Sequence, residues 1–344
     1  MKNIKLTNSL LILAFIVSLF VLAKSILIPL ILGGFLAMLV YPIQRFLKSK
    51  GINNIVALSV AVSSILVFIV VLSGMLSWQV AQISNDTGKI KKQFNTKKSQ
   101  VTTYLKDTYN LKDDRLEKFS KNTKQELKST GKKFLGTFST TMGSGLLVVL
   151  YIILFLMLKD RIKNFIFMVT DEEKVKENEI LTKSAEIVRN FFVGKFLVMA
   201  ILAVTYGIGF SLVGIQYAPM LALLAAILTI IPYLGNLLGA GLVFIFILIS
   251  GGGIKDIALV VGIMSFTQFL ESYILMPKVV GEKVNLNALT VIFGVIFFGL
   301  IWGVMGTIMA LPILGIIKEW FGHYEDTKPY AYLMGTEEAD EIGS

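Results

Sequence analysis

Apolar stretches long enough to cross a bilayer recur along almost the whole chain, and no other feature so narrows what it can fold into. A hydrocarbon core about 30 Å thick asks for roughly 20 helical residues per crossing. Residues 26–44, 55–82, 191–213 and 256–276 answer that demand. In lipid every backbone amide needs an internal partner, so such stretches are helices unless they close a barrel. The alternation expected of barrel strands is absent. Hydrophobic residues make up 55% of the chain and charged residues 16%, with a mean hydropathy of +0.73, which excludes an ordinary water-facing surface. The fold class is therefore an all-α polytopic membrane protein of about eight membrane segments.

Chemistry is constrained as tightly. Without cysteine there is neither a disulfide framework nor a thiolate metal site, and the single histidine, His323, lies in a polar tail. No P-loop, zinc pattern or nucleophile motif occurs, so neither an enzyme nor an ATP-driven pump is expected. The net charge of +10 sits in loops between spans, where lipid headgroups are nearer partners than nucleic acid. No cofactor is expected beyond a coupling H+ or Na+.

Orientation follows from the short loops. Lys2 and Lys5 precede a first apolar stretch at residues 9–23, and Arg45, Lys48 and Lys50 follow the second at 26–44, placing both ends of this pair in the cytoplasm. The first stretch ends in Val21-Leu22-Ala23 and imitates a cleavable signal, but Lys24 and the next span follow at once, so it is read as a retained span. The third span, 55–82, runs outward and completes a membrane unit at 1–84. Residues 85–140 are Lys-rich with apolar residues at helical intervals, an external amphipathic helical insertion. Residues 141–190 hold a fourth span, 142–158, then a basic turn and a charged cytoplasmic segment at 170–189. The transport core is placed at 191–318 and a cytoplasmic, mobile tail at 319–344.

Two apolar stretches within that core do not read as plain spans. Residues 220–250 are too long for one crossing and are interrupted by Ile231-Pro232-Tyr233-Leu234-Gly235-Asn236. Proline removes a backbone donor, so the simplest reading is a hairpin that enters and leaves on the outer side, although a kinked long span fits the same residues. Residues 288–317 repeat the design, two short arms around Gly299 to Gly303, entering from the cytoplasm. Such paired, oppositely oriented re-entrant hairpins are the pattern that points to a transporter site at the membrane midplane. Pro232, Gly235, Gly299 and Gly303 are the expected hinges.

Glu271 is an acid well inside an apolar span, with Gln268 one helical turn earlier. A carboxylate in lipid costs at least about 2.5 kcal/mol, so it should face the bundle interior or a cavity. Burial favours its neutral form and a nearby cation its charged form, which suits a proton- or cation-coupling site. The plainer alternative pairs it with Lys278 or a helix end. Asn236, Tyr233 and Thr229 add polar groups at the first break, for a polar solute or a dehydrated cation; each alone could equally be helix-packing glue.

The series Ile231-Pro232-Tyr233-Leu234-Gly235, then Glu271 with Pro277-Lys278-Val279-Val280-Gly281, then a glycine-rich run into Ala310-Leu311-Pro312, resembles the autoinducer-2 exporter family of bacterial membrane permeases. The resemblance implies a multi-pass protein of the bacterial inner membrane, a homo-oligomer with cytoplasmic termini, that exports autoinducer-2 or exchanges sodium for protons. By position, Pro232, Tyr233, Gly235, Glu271, Pro277 and Gly281 match family motif positions, and Pro277, Lys278 and Gly281 form its cytoplasmic motif. Where the family carries a His-Pro pair, this chain has Asn287-Ala288, so a mechanism needing that histidine does not transfer.

The expected function is thus a secondary active transporter of a small polar solute or monovalent cation. A passive channel or facilitator, built from the same broken helices, competes with it. So does a membrane scaffold whose external insertion binds a partner, with no flux.

Overall fold

The computed structural model describes residues 11, 15, 17–85, 145–169, 174–232, 234–250, 252–280 and 285–336. Among these there are helices and no strands. We number them α1 (Lys24–Ser49), α2 (Asn54–Asn85), α3 (Gly145–Val169), α4 (Lys174–Val213), α5 (Ala218–Leu228), α6 (Leu234–Ile249), α7 (Ile254–Leu270), α8 (Ala288–Trp302), α9 (Val304–His323) and α10 (Lys328–Met334). A π-helical segment, Glu271–Val280, continues α7. Five helical stretches are long and apolar enough to cross a membrane: Lys24–Ser49, Asn54–Met75, Glu179–Val213, Ile254–Met276 and Val304–His323. The expected insertion at 85–140 lies, Asn85 apart, outside the described residues, as do residues 9, 10, 12–14 and 16 of the first apolar stretch.

Lipid tails are as apolar as leucine, so these helices associate by close packing rather than by escape from water. Small residues supply the approach. At Gly33 in α1 an added Cβ would stand 2.6 Å from the Tyr151 Cβ of α3, and Ala37, Val40, Ala61, Ile152 and Leu156 close the α1–α2–α3 bundle around that crossing. The first broken hairpin, α5–α6, packs on α4 and α7 through Leu202, Tyr206, Leu221, Val243, Ile247 and Val260. The second, α8–α9, packs on the residues preceding α1: Phe20 stacks on Trp302 at 5.7 Å, and the Trp302 indole N–H donates to the Phe20 carbonyl at 3.1 Å. Helix α4 runs between these units and touches α1, α5, α7 and α9.

Several expectations need correction. The charged segment placed at 170–189 is helical from Lys174 and continues without a break into the apolar span, as α4, a single helix of 40 residues. Its Glu and Lys residues are good helix formers, and nothing between 174 and 213 breaks the turn. At 1.5 Å per residue α4 is about 60 Å long, twice a hydrocarbon core, so its charged end extends past the apolar zone. Similarly, α3 continues beyond the expected end at 158 to Val169, with Lys159 lying 4.3 Å over the Tyr41 ring. In the second hairpin the break is one residue, Gly303 (φ 63°, ψ −145°), a conformation that side chains resist; Gly299 stays helical, and α9 with 20 residues is not a short arm. The tail is partly folded, since α10 packs on α9.

Both hairpins have antiparallel arms in close contact. A Cβ added to Gly235 would run into the Leu228 carbonyl, and one added to Gly306 into that of Phe298. Farther along the arms, Gly239 faces Ala225 and Gly294 faces Leu314. The first hairpin's break lies between Leu228 and Leu234, so Gly235 and Asn236 already belong to the first turn of α6.

Candidate functional site

Three helices converge on Glu271. Thr267 on α7 and Glu271, the first residue of the π-helical segment that continues it, are four residues apart and share a face; both are buried, at 1% and 4% exposure. On α4, Lys195 is buried at 6% and its Nζ lies 3.0 Å from Glu271 Oε1. At the start of α6, Asn236 donates from Nδ2 to Glu271 Oε2 at 3.2 Å. Each carboxylate oxygen therefore has its own donor. Tyr206, eleven residues after Lys195 and so three turns along the same face of α4, is buried within electrostatic range of the carboxylate.

A buried ion pair is not stable merely by being one. Removing two charges from water costs several kcal/mol each, and mutual attraction offsets that only with good geometry and further hydrogen bonds. The Asn236 amide supplies one. Two polar atoms beside the pair have no hydrogen-bond partner among the described residues: Asn236 Oδ1 and Thr267 Oγ1. Buried polar atoms are rarely left so, and unmet acceptor capacity next to a neutralised charge pair suits a polar ligand or ion. The site lies at the foot of the α5–α6 break and at the junction where α7 changes to a π-helix. Such wide turns gather at functional positions, because the extra residue re-aims the side chains that follow.

Of the site residues expected from sequence, Glu271 and Asn236 are brought together. Thr229 is buried in the break but donates to the Ala226 carbonyl at 2.7 Å, closing α5. Gln268 turns elsewhere and donates to Ser272 Oγ at 3.0 Å; the α7 residue that shares Glu271's face is Thr267. Tyr233 and Gly281 lie outside the described residues, Pro277 is within the π-helical segment, and Lys278 is exposed. The alternative partner for Glu271, Lys278, is replaced by Lys195. That lysine is the one charged residue in the apolar stretch 191–213, and a buried acid asks for just such a cation, so the sequence carried the signal. Gly299 approaches Thr307 across the second hairpin, whose turn is made by Gly303.

Comparison with known proteins places this architecture. YrrI of Bacillus subtilis (strain 168), provisionally named a transport protein, is 24% identical over 316 residues, covering 88% of this chain and 87% of its own length. YhhT of Escherichia coli (strain K12), with a similar provisional name, is 21% identical over 313 residues, 91% of this chain and 89% of its own. PerM of the same organism, provisionally a permease, is 25% identical over 174 residues, half of this chain. The AI-2E family transporter profile matches residues 10–326, nearly all of the helical body described above. The chain belongs to the AI-2E family of transporters, as a multi-pass membrane protein.

Proposed function

We propose that the protein is a secondary active transporter of the bacterial cell membrane, with both termini cytoplasmic, in which the Lys195–Glu271 pair is the coupling element. It either exchanges a monovalent cation for protons or exports a small polar, autoinducer-2-like solute at the expense of such a gradient. One observation carries this reading: a charge pair at 3.0 Å, buried between α4 and α7, with Asn236 of a broken hairpin on its second oxygen.

The arrangement has two natural states. With Glu271 ionised, Lys195 and Asn236 occupy its oxygens, α4, α6 and α7 are drawn together, and the site is closed. A proton on Glu271 removes the attraction, and a cation of the right size competes with the lysine ammonium for the same oxygens. Either event loosens the grip of Glu271 on Asn236. Asn236 sits one turn from the hairpin break, so release there transmits directly to α5–α6.

The lengths of α5 and α6, 11 and 16 residues or about 16 and 24 Å, favour a hairpin that returns to its own side of the bilayer over two full crossings. The second hairpin, entering from the opposite side, has one short arm in α8, with 15 residues.

The test is internal pH in proteoliposomes, read with a trapped dye while sodium, lithium or potassium is pulsed outside. Wild type should give a cation-dependent pH change that Glu271→Gln abolishes, in a variant that purifies as a folded protein. A normal signal from Glu271→Gln sinks the coupling role. No signal from either removes cation exchange and leaves polar-solute export as the reading to assay.

A further inference from the structure

The C-terminal segment meets the base of the second hairpin at a dense set of polar contacts that the transport site does not use. Asn287 is their centre. Its Oδ1 accepts from the Thr290 backbone N–H at 2.9 Å and so caps α8, while its Nδ2 donates to the carbonyls of Leu333 at 2.7 Å and Gly335 at 3.0 Å. Its backbone N–H donates to the Met334 carbonyl at 2.9 Å. Beside it, Leu286 and Gly335 form an isolated antiparallel bridge, and Thr336 Oγ1 donates to Asn285 Oδ1. Lys318 of α9 donates to the Asn285 carbonyl at 3.0 Å, so both arms of the hairpin and the tail converge on Asn285–Asn287.

The apolar part of the contact is small. Ala331 is buried against α9 near Gly322, Tyr330 lies 5.7 Å from Phe321, and Met334 touches the α8 cluster. A helix of seven residues is far below the length at which helices persist alone, so α10 exists only while docked. Few buried apolar contacts put it at the low end of local stability, where segments open without unfolding the rest. The residues it grips are those by which the chain, having left the Glu271 helix, enters α8.

We propose that residues 328–336 are a releasable latch: docked, they fix the base of the second hairpin, and undocked they free α8 to move relative to the helix that carries Glu271. Its importance for flux rests on the transport reading above, so latch and flux are read separately.

The chain has no cysteine, so a Leu286→Cys/Gly335→Cys pair reports on itself. Bridge partners in an antiparallel pair stand at the separation a disulfide needs. The Cβ added at Gly335 would meet the flexible end of Lys318 at 3.1 Å, which can swing aside. Oxidation of the full chain in proteoliposomes should form an intramolecular bond, seen as loss of maleimide labelling; failure to form it in folded protein overturns the docked geometry. Hydrogen exchange on the unlinked protein should show the amides of 288–291 and 331–335 opening as one unit, slowed at least about tenfold by the bond. Independent opening of the two segments overturns the latch whatever the flux does. With the bond in place, the cation-dependent pH signal should fall at least about tenfold and return with reductant, as closing motions often limit turnover. Full signal in the linked protein means that release is not required, and the proposal falls. Absence of signal from wild type and linked protein alike counts against cation exchange, while the exchange experiment still decides the latch.

Discussion

Glu271 and Lys195 compensate each other's charge out of water, with Asn236 as a further donor to the carboxylate, and this mutual dependence governs what substitution does. Removing one partner strands the other, at a cost of about 3–5 kcal/mol, whereas removing both is often close to neutral. Lys195→Met should therefore lower the thermal unfolding midpoint in detergent markedly, and Lys195→Met/Glu271→Gln should recover most of the loss. The pairwise coupling from this cycle should be at least about 1 kcal/mol; an additive double variant would show that the pair does not hold α4 to α7. Asn236→Ala removes one hydrogen bond to a buried carboxylate and should cost less, about 1–3 kcal/mol, read by the same midpoint. The sequence announces Glu271, because an acid within an apolar run has few bland explanations. Lys195 is legible in the same way, as the one charge in 191–213, but that the two faces meet is not, because it depends on the rotation and tilt of distant helices. Gln268 fails for the same reason. One turn back along a helix leaves a choice between residues three and four positions away, and packing selects Thr267.

The broken helices are the elements most visible in the sequence, since proline and glycine act on the backbone directly and need no tertiary context. Their arms lie close because no side chain intervenes, and the energetic sign of a glycine substitution follows from what each one faces. Gly306→Ala would drive a methyl into the Phe298 carbonyl and should destabilise the protein by at least about 1 kcal/mol. Gly262→Ala, in α7 with nothing within 4 Å of the new methyl, should stabilise it by about 0.5–1 kcal/mol through helix propensity. Intrinsic-fluorescence melting of the two variants checks the contrast, and equal shifts would rule out close arm packing as the cause. Element boundaries were harder to read. The charges at 174–189 mark where the apolar span stops but not where the helix stops, and α4 runs through them. The docking of α10 onto Asn287 was hidden as well, since a capping side chain that also holds carbonyls 46 and 48 residues farther along leaves no local pattern.

At the scale of the molecule, α4 touches the α1–α3 bundle, both broken hairpins and the Glu271 helix. Transport confined to this helical body predicts that replacing residues 85–140 with a short Gly/Ser linker leaves the cation-dependent pH signal and its loss in Glu271→Gln unchanged. Loss of signal in a folded variant would bring that stretch into the mechanism. The buried pair has a further consequence here, an electrical one. An ammonium and a carboxylate 3.0 Å apart form a compact dipole with no net charge. Carrying the two together through the bilayer without turning that dipole does almost no work against the membrane potential. A step that parts them and moves one alone exchanges about 2.3 kcal/mol with the field for each 100 mV crossed. On the proposed reading these two charges add almost nothing to the voltage dependence of a step while the pair is closed, and feel the energised membrane strongly only when they part.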